Sequence, residues 1–185
     1  MERIKNDDFD FLLLQMKRKL AKDNADGKLK ADTGNRQDFG LGFTLQLPEG
    51  VEQADDKTAS EIFWSEKRPD VILTSKNRKA GFTFQLMEDE TPEESLVCSR
   101  AKIKQLVGQI DERTVFYDMG ETKEALWFEY KSFAGRTVVY NILFLFQAGE
   151  GKILGTFYCI FEEYDKWKPG VLKMLETIRT KEAAK

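Results

Sequence analysis

The sequence predicts an α+β domain in which an antiparallel β-sheet is covered by helices. Three observations carry this expectation. Residues 125–133, 137–146 and 153–161 are three long alternating apolar segments that follow one another closely. The connections between them, Ala134-Gly135-Arg136 and Ala148-Gly149-Glu150-Gly151, are short and carry glycine, which suits antiparallel neighbours. An amphipathic helical pattern then closes the chain, with Val171, Leu172, Leu175 and Ile178 as its buried stripe. Pro169 limits where that helix starts, and Tyr164 and Trp167 pin its beginning to the sheet.

The earlier elements follow in order. Phe43, Leu45 and Leu47 alternate with Thr44 and Gln46 before Pro48, the pattern of a half-buried strand ended by a residue without an amide donor. Residues 61–65 form a second short strand. Residues 71–75 and 81–87 flank Lys76-Asn77-Arg78-Lys79-Ala80, which reads as a hairpin with a basic tip. Thr91-Pro92-Glu93-Glu94 offers a capping residue, proline at the first helical position and glutamate three residues after the cap. A helix is expected from there to about Asp111, burying Leu96, Ile103, Leu106, Val107 and Ile110 and turning Arg100, Lys102 and Lys104 outward. Residues 114–119 supply one more strand.

The N-terminal part differs in character. Phe9, Leu12, Leu13, Met16 and Leu20 recur at helical spacing, and Lys17, Arg18, Lys19 and Lys22 lie toward the end, where cations complement the helix dipole. An amphipathic helix over residues 8–22 is expected, followed by a polar, glycine-bearing linker. The chain thus divides into an N-terminal helix and linker, 1–36, and an α+β domain, 37–185. The basic end and apolar stripe of the helix also suit a membrane surface.

Composition excludes several function classes. A chain of 185 residues, 41% hydrophobic and 33% charged, holds one domain with a proper core plus a modest appendage. With 29 basic and 32 acidic residues, a net charge of -3 removes the general attraction of a nucleic-acid binder, and no nucleic-acid partner is expected. The chain has no histidine, which rules out Ser-His-Asp and Cys-His catalysis, histidine-ligated metals and imidazole pH sensing. Cys98 and Cys159 are far apart and read as reduced core fillers. The apolar run 9–16 is too short to span a membrane, contains Asp10 and follows Asp7 and Asp8, so no integral membrane segment is expected and the location reads as cytoplasmic.

A family resemblance emerges from these residues. Ala125-Leu126-Trp127-Phe128-Glu129-Tyr130, the strand from Val138 to Phe146, the glycine turn, and Gly155-Thr156-Phe157-Tyr158-Cys159 leading into Glu163-Tyr164-Asp165-Lys166-Trp167 resemble the PsbP-like superfamily. That superfamily includes the photosystem PsbP subunit, the Ran-binding Mog proteins and the bacterial DcrB group. The resemblance spans roughly residues 39–180 and implies an α/β/α sandwich in a bacterial member, with a binding or chaperone-like role in place of catalysis. It transfers no functional residue, since the superfamily shares no catalytic signature.

Candidate sites are weighed against plainer roles. Glu88-Asp89-Glu90 with Glu93 and Glu94 lacks the alternation of a calcium loop and reads as a solvated helix start. Gly149-Glu150-Gly151-Lys152 lacks the glycine spacing and following helix of a phosphate loop, and reads as a hairpin turn. No metal or cofactor is expected. Lys76, Arg78 and Lys79 are either a grip for an acidic partner or a solubilising hairpin end. Nothing in the spacing of Asp118, Glu121, Glu124, Glu129 and Glu162 selects a catalytic pair, and strand carboxylates usually face water. Alternation places Trp127 and Phe128 on opposite sheet faces, as it does Phe157 and Tyr158. Two apolar faces need two covers, supplied either by the N-terminal helix or by a partner.

The reading that follows is a non-enzymatic, cytoplasmic protein-binding module, adaptor or chaperone-like, which captures a protein through an aromatic sheet face or groove. The residues expected to carry it are Trp127, Tyr130, Tyr140, Phe157, Lys76, Arg78 and Lys79. The alternative is a small-ligand binder or histidine-independent enzyme with a pocket between sheet and helix, where a filled interior would argue against it.

Overall fold

The computed structural model describes residues 36–63, 65, 67–87 and 94–181. The expected N-terminal helix, most of the linker, the acidic run 88–90 and the proposed cap at 91–93 lie outside the described residues. Ten strands and three helices are described: β1 (Arg36–Asp38), β2 (Phe43–Gln46), β3 (Val51–Gln53), α1 (Asp56–Ile62), β4 (Val71–Ser75), β5 (Ala80–Met87), α2 (Leu96–Ile110), β6 (Val115–Glu121), β7 (Ala125–Ala134), β8 (Thr137–Ala148), β9 (Gly151–Ile160), α3 (Tyr164–Glu176) and β10 (Arg179–Thr180). A short 3₁₀ turn, Phe161–Glu163, leads into α3.

Seven strands form one antiparallel sheet in the order β3-β4-β5-β9-β8-β7-β6. Its centre is the expected meander, and the hairpin turns close at Gly135 and Gly149, whose φ of +62° and +59° suits glycine. Register sorts the side chains: Trp127 opposes Phe144 and Ile142 opposes Phe157, whereas Phe128 opposes Leu143. On the Phe128 face, α2 lays Leu96, Ile103 and Val107 against Phe128, Leu143 and Leu145. On the Phe157 face, α3 brings the ring of Trp167 to 5.9 Å from Phe157 and that of Tyr164 to 5.1 Å from Tyr140.

A second sheet, β1-β2-β10, completes that layer. Its Phe43 is fully buried, 4.9 Å edge-on from Phe146 and 5.3 Å from Phe84. Arg36 ties the layer together, donating to the Thr177 carbonyl (2.8 Å) and the Thr44 hydroxyl (3.1 Å), while Thr177 Oγ1 accepts from the Gln46 amide (2.9 Å). The domain is therefore α+β, with helices on both sides of an antiparallel sheet.

Five local expectations are corrected. The strand expected over 61–65 does not start at Glu61: Asp55 caps α1 by accepting from the Thr58 amide at 2.7 Å, and Glu61 and Ile62 end that helix. The cap of α2 is Ser95, which accepts from the Cys98 amide, so the helix starts at Leu96. Pro169 lies inside α3, which begins at Tyr164, and Ile178 is buried beyond the helix end. Leu106 and Ile110 are exposed, because Leu106 sits roughly 80° around the helix from the Leu96–Ile103–Val107 stripe and Ile110 is its last residue. The cations of α2 are not simply outward either: Arg100 donates to the Gly120 carbonyl at 3.1 Å and Lys104 lies 5.1 Å over the Phe116 ring.

Candidate functional site

Three places bear on function: a polar cluster beneath α3, the β4–β5 hairpin tip, and the outer flank of α2.

The cluster grows from strand alternation. Trp127, Glu129 and Lys131 share a face of β7, and that face is interior, so two charged side chains enter the core. Glu129 is only 2% exposed, against the expectation that strand carboxylates point to water. Two neighbours satisfy it: Tyr140 on β8 donates its phenol proton to the carboxylate, and Lys168 on α3 reaches it at 2.8 Å. A bulge in β6 sets Tyr117 and Asp118 opposite Glu129, and the Tyr117 ring lies 6.5 Å from Phe161. Lys131 is buried with its ammonium 5.5 Å from the Phe133 ring and 5.9 Å from that of Phe161.

Cys159 lies on the same sheet face, directly opposite Tyr140. Burial, reinforced by Glu163, Asp165 and Glu162, pushes its thiol up to about 12. A carboxylate, a phenol and an ammonium in contact are groups capable of proton transfer. Here each is bonded to the next, and packed aromatic rings fill the surrounding layer, which argues against a substrate pocket between sheet and helix.

The expected aromatic binding residues are accounted for by the same packing. Trp127, Tyr140 and Phe157 are buried, so the sheet face that was expected to present them is core, covered by α3 and the small sheet. The Trp127 ring lies flat over Gly120, where a Cβ would stand 2.7 Å from its Cζ2 atom. Tyr130 occupies the opposite face, half-buried beside Phe116 and Phe128, and burial pushes its phenol up to about 12.

At the hairpin tip, Asn77 Oδ1 accepts from the Ser75 hydroxyl (2.8 Å) and the Lys79 amide (3.1 Å), which shapes the turn. Arg78 has a φ of +57°, a left-handed conformation more easily adopted by glycine. The guanidinium explains an arginine there: it pairs with Glu61 and lies 3.4 Å from the Thr58 hydroxyl, fastening the hairpin to α1. Lys76 stands 3.7 Å from Glu52, and Lys79 is exposed. Between hairpin and helix is an open cleft of about 240 Å³ lined by Glu52, Asp55, Thr58, Lys76 and Arg78 among others. Two of the three basic residues singled out in the sequence thus face carboxylates of the chain itself.

The flank of α2 was missed by sequence reasoning, because Leu106 and Ile110 were assigned to the buried stripe. They stand 57% and 84% exposed, one helical turn apart. The signal was present in the pattern: apolar residues at 96, 97, 103, 106, 107 and 110 cover more of the helix circumference than one sheet contact can bury.

No group of histidine, cysteine, aspartate and glutamate suited to a metal occurs among the described residues, and no described helix is long and apolar enough to cross a membrane.

No protein-family model matches the sequence, and no curated protein is similar to it. Solved structures are similar in fold. The solution structure of cyanobacterial PsbP (CyanoP) from Synechocystis sp. PCC 6803 matches with a TM-score of 0.58 at 13% identity, over 79% of this chain and 91% of that one. The crystal structure of LpqN from Mycobacterium tuberculosis, a protein involved in cell envelope biogenesis, matches with a TM-score of 0.47 at 10% identity, over 82% of this chain and 87% of that one. The similarity to CyanoP shows that the domain has the PsbP-like fold.

Proposed function

We propose that this chain, a PsbP-like fold, is a non-enzymatic protein-binding module whose contact surface is the outer flank of α2. One observation carries the proposal: Leu106 and Ile110 are exposed on the helix that covers the sheet, while the aromatic side chains of the other sheet face are buried. Exposed aliphatic side chains on a rigid helix give apolar area to a partner at little conformational cost. Lys102, exposed one turn before Leu106 on the same flank, borders them with charge of the kind that frames an interface. An accessory role, adaptor or chaperone-like, fits a domain whose buried ionisable groups are engaged with one another. A cytoplasmic location and a bacterial source belong to the same proposal, and the two free cysteines support the former.

The test is capture of partners from the producing cells with the intact chain and with Leu106→Asp/Ile110→Asp, crosslinked and identified by mass spectrometry. A specific partner lost in the variant, with circular dichroism unchanged, supports the surface. Equal capture by both sinks it.

A second reading rests on the 240 Å³ cleft at the hairpin tip, whose mixed carboxylate, hydroxyl and cationic lining suits a small polar ligand. A metabolite screen by thermal shift decides it: stabilisation that disappears in Lys76→Ala supports a ligand there, and no stabilisation removes the reading.

A further inference from the structure

We propose that α3 contains a hinge at Pro169–Gly170 and that its first turn, with the 3₁₀ turn before it, is a lid over the Glu129–Tyr140 pair. Both residues lie inside the helix, and packing explains neither. Pro169 is exposed, and a Cβ added to Gly170 would have nothing within 4 Å, so glycine is not required there by a neighbour. Proline removes the amide that would bond the Asp165 carbonyl, its ring crowds that same carbonyl, and the glycine beside it weakens the helix again. Among the described residues, this is the one helix carrying adjacent proline and glycine in its interior.

The two sides of the hinge are held differently. Beyond it, Val171, Met174 and Leu175 are buried, and the C-cap Thr177 is tied to β1 and β2 through Arg36 and Gln46. Before it, one side chain is buried, Tyr164, with its ring against Tyr140, and the other anchors are single contacts of half-buried residues: the Lys168 ammonium on Glu129 and the Trp167 ring on Phe157. Trp167 also donates to Glu163 at 3.3 Å, which makes the 3₁₀ turn and first helical turn move as one piece. Swinging that piece outward lifts Lys168 from Glu129 and uncovers Phe157 and Tyr140. A buried carboxylate stripped of its cation is unstable, so the open form is brief and recloses on Lys168.

Amide hydrogen exchange on the intact chain tests the hinge without any substitution. In a helix each amide bonds the carbonyl four residues earlier, so the Gly170, Val171 and Leu172 amides bond carbonyls of the lid across the hinge, and those of 174–176 do not. The lid-dependent amides are expected to exchange at least about tenfold faster than 174–176, and Pro169→Ala/Gly170→Ala to slow them by about the same factor, as helix propensities imply. Glu129→Gln, which weakens the latch, is expected to speed them while leaving 174–176 unchanged. Equal protection across the hinge in the unmodified chain overturns the proposal, as does uniform slowing of both sides in the double variant.

Discussion

Glu129 and Lys168 stand 39 residues apart in the chain and 2.8 Å apart in the structure, a carboxylate on the sheet and an ammonium on α3 that meet inside the domain. Glu129 is 2% exposed and Lys168 17%, so the pair is held largely out of water. Burying charge is costly, and this pair is tolerated because each partner is the other's counter-ion and Tyr140 supplies a further hydrogen bond. The contact ties α3 to the sheet.

Lys168→Met is therefore expected to destabilise the domain by about 3 kcal/mol in urea unfolding, since it leaves a buried carboxylate with only a phenol partner. Replacing both partners, Glu129→Gln with Lys168→Met, is expected to recover part of that loss. A loss under 1 kcal/mol for Lys168→Met would place the pair in water and contradict its described burial.

Gly155→Ala addresses the packing of the Phe157 face. The Phe144 ring lies across Gly155 so closely that a Cβ would enter it, and the glycine has no room to give because β5 and β8 flank it. Overpacking of this kind costs several kcal/mol, about 3 or more, in a core that cannot relax. Thermal unfolding measures it, and a melting temperature within a degree or two of the unmodified chain would refute the contact.

Ser99 gives a change in the other direction. It is 4% exposed on α2, and its hydroxyl has no hydrogen-bond partner among the described residues. Ser99→Ala removes a buried, unsatisfied polar group and improves helix propensity, so it is expected to stabilise by about 1 kcal/mol. Any destabilisation in chemical unfolding counts against the burial of that hydroxyl.

Cys159 and Tyr130 predict how the domain responds to alkali. Burial raises the Cys159 thiol from 9.0, and the Tyr130 phenol from 10.0, each to about 12. Both groups bind their proton more tightly folded than unfolded, so their contribution is complete below pH about 9 and falls as pH rises toward 12. Stability should decline across that window. At pH 8, a thiol reagent should modify exposed Cys98 alone in the native chain and both cysteines after denaturation. Reaction of both in the native chain would contradict the burial of Cys159.

Much of the fold was legible because it rests on long, regular signals. Strands β7, β8 and β9 are apolar-rich runs of ten or more residues each, and glycine marks both turns between them. What was missed is short. Strands β1, β3 and β10 have three residues or fewer, too few for a period, and β10 exists because β2 is there to pair with it. Residues 61–65 misled because one helical turn ending in Ile62 and Phe63 has the same composition as a strand, and only the Asp55 cap distinguishes them. Pro169 was read as a boundary, although the contacts of Tyr164, Trp167 and Lys168 hold a helical turn before it.

The candidate site was less legible. Five carboxylates looked equivalent in sequence, yet alternation already placed Glu129 on the face of Trp127, and interior strand positions were the clue to a buried charge. Trp127, Tyr140 and Phe157 were read as available for a partner because the covers of that face, α3 and a small sheet assembled from both ends of the domain, are formed by long-range contacts. The width of the apolar arc on α2 signalled that some of it stays exposed, whereas which edge of that arc the sheet leaves uncovered, at Leu106 and Ile110, is set by long-range packing.

Crosslinked capture from the producing cells, run side by side with the unmodified chain, Leu106→Asp/Ile110→Asp and Lys76→Glu/Lys79→Glu, tests the central claim most directly. The account predicts one specific partner held by the unmodified chain and by the hairpin variant, and lost from the α2 variant. Retention by the α2 variant, or loss confined to the hairpin variant, would contradict it.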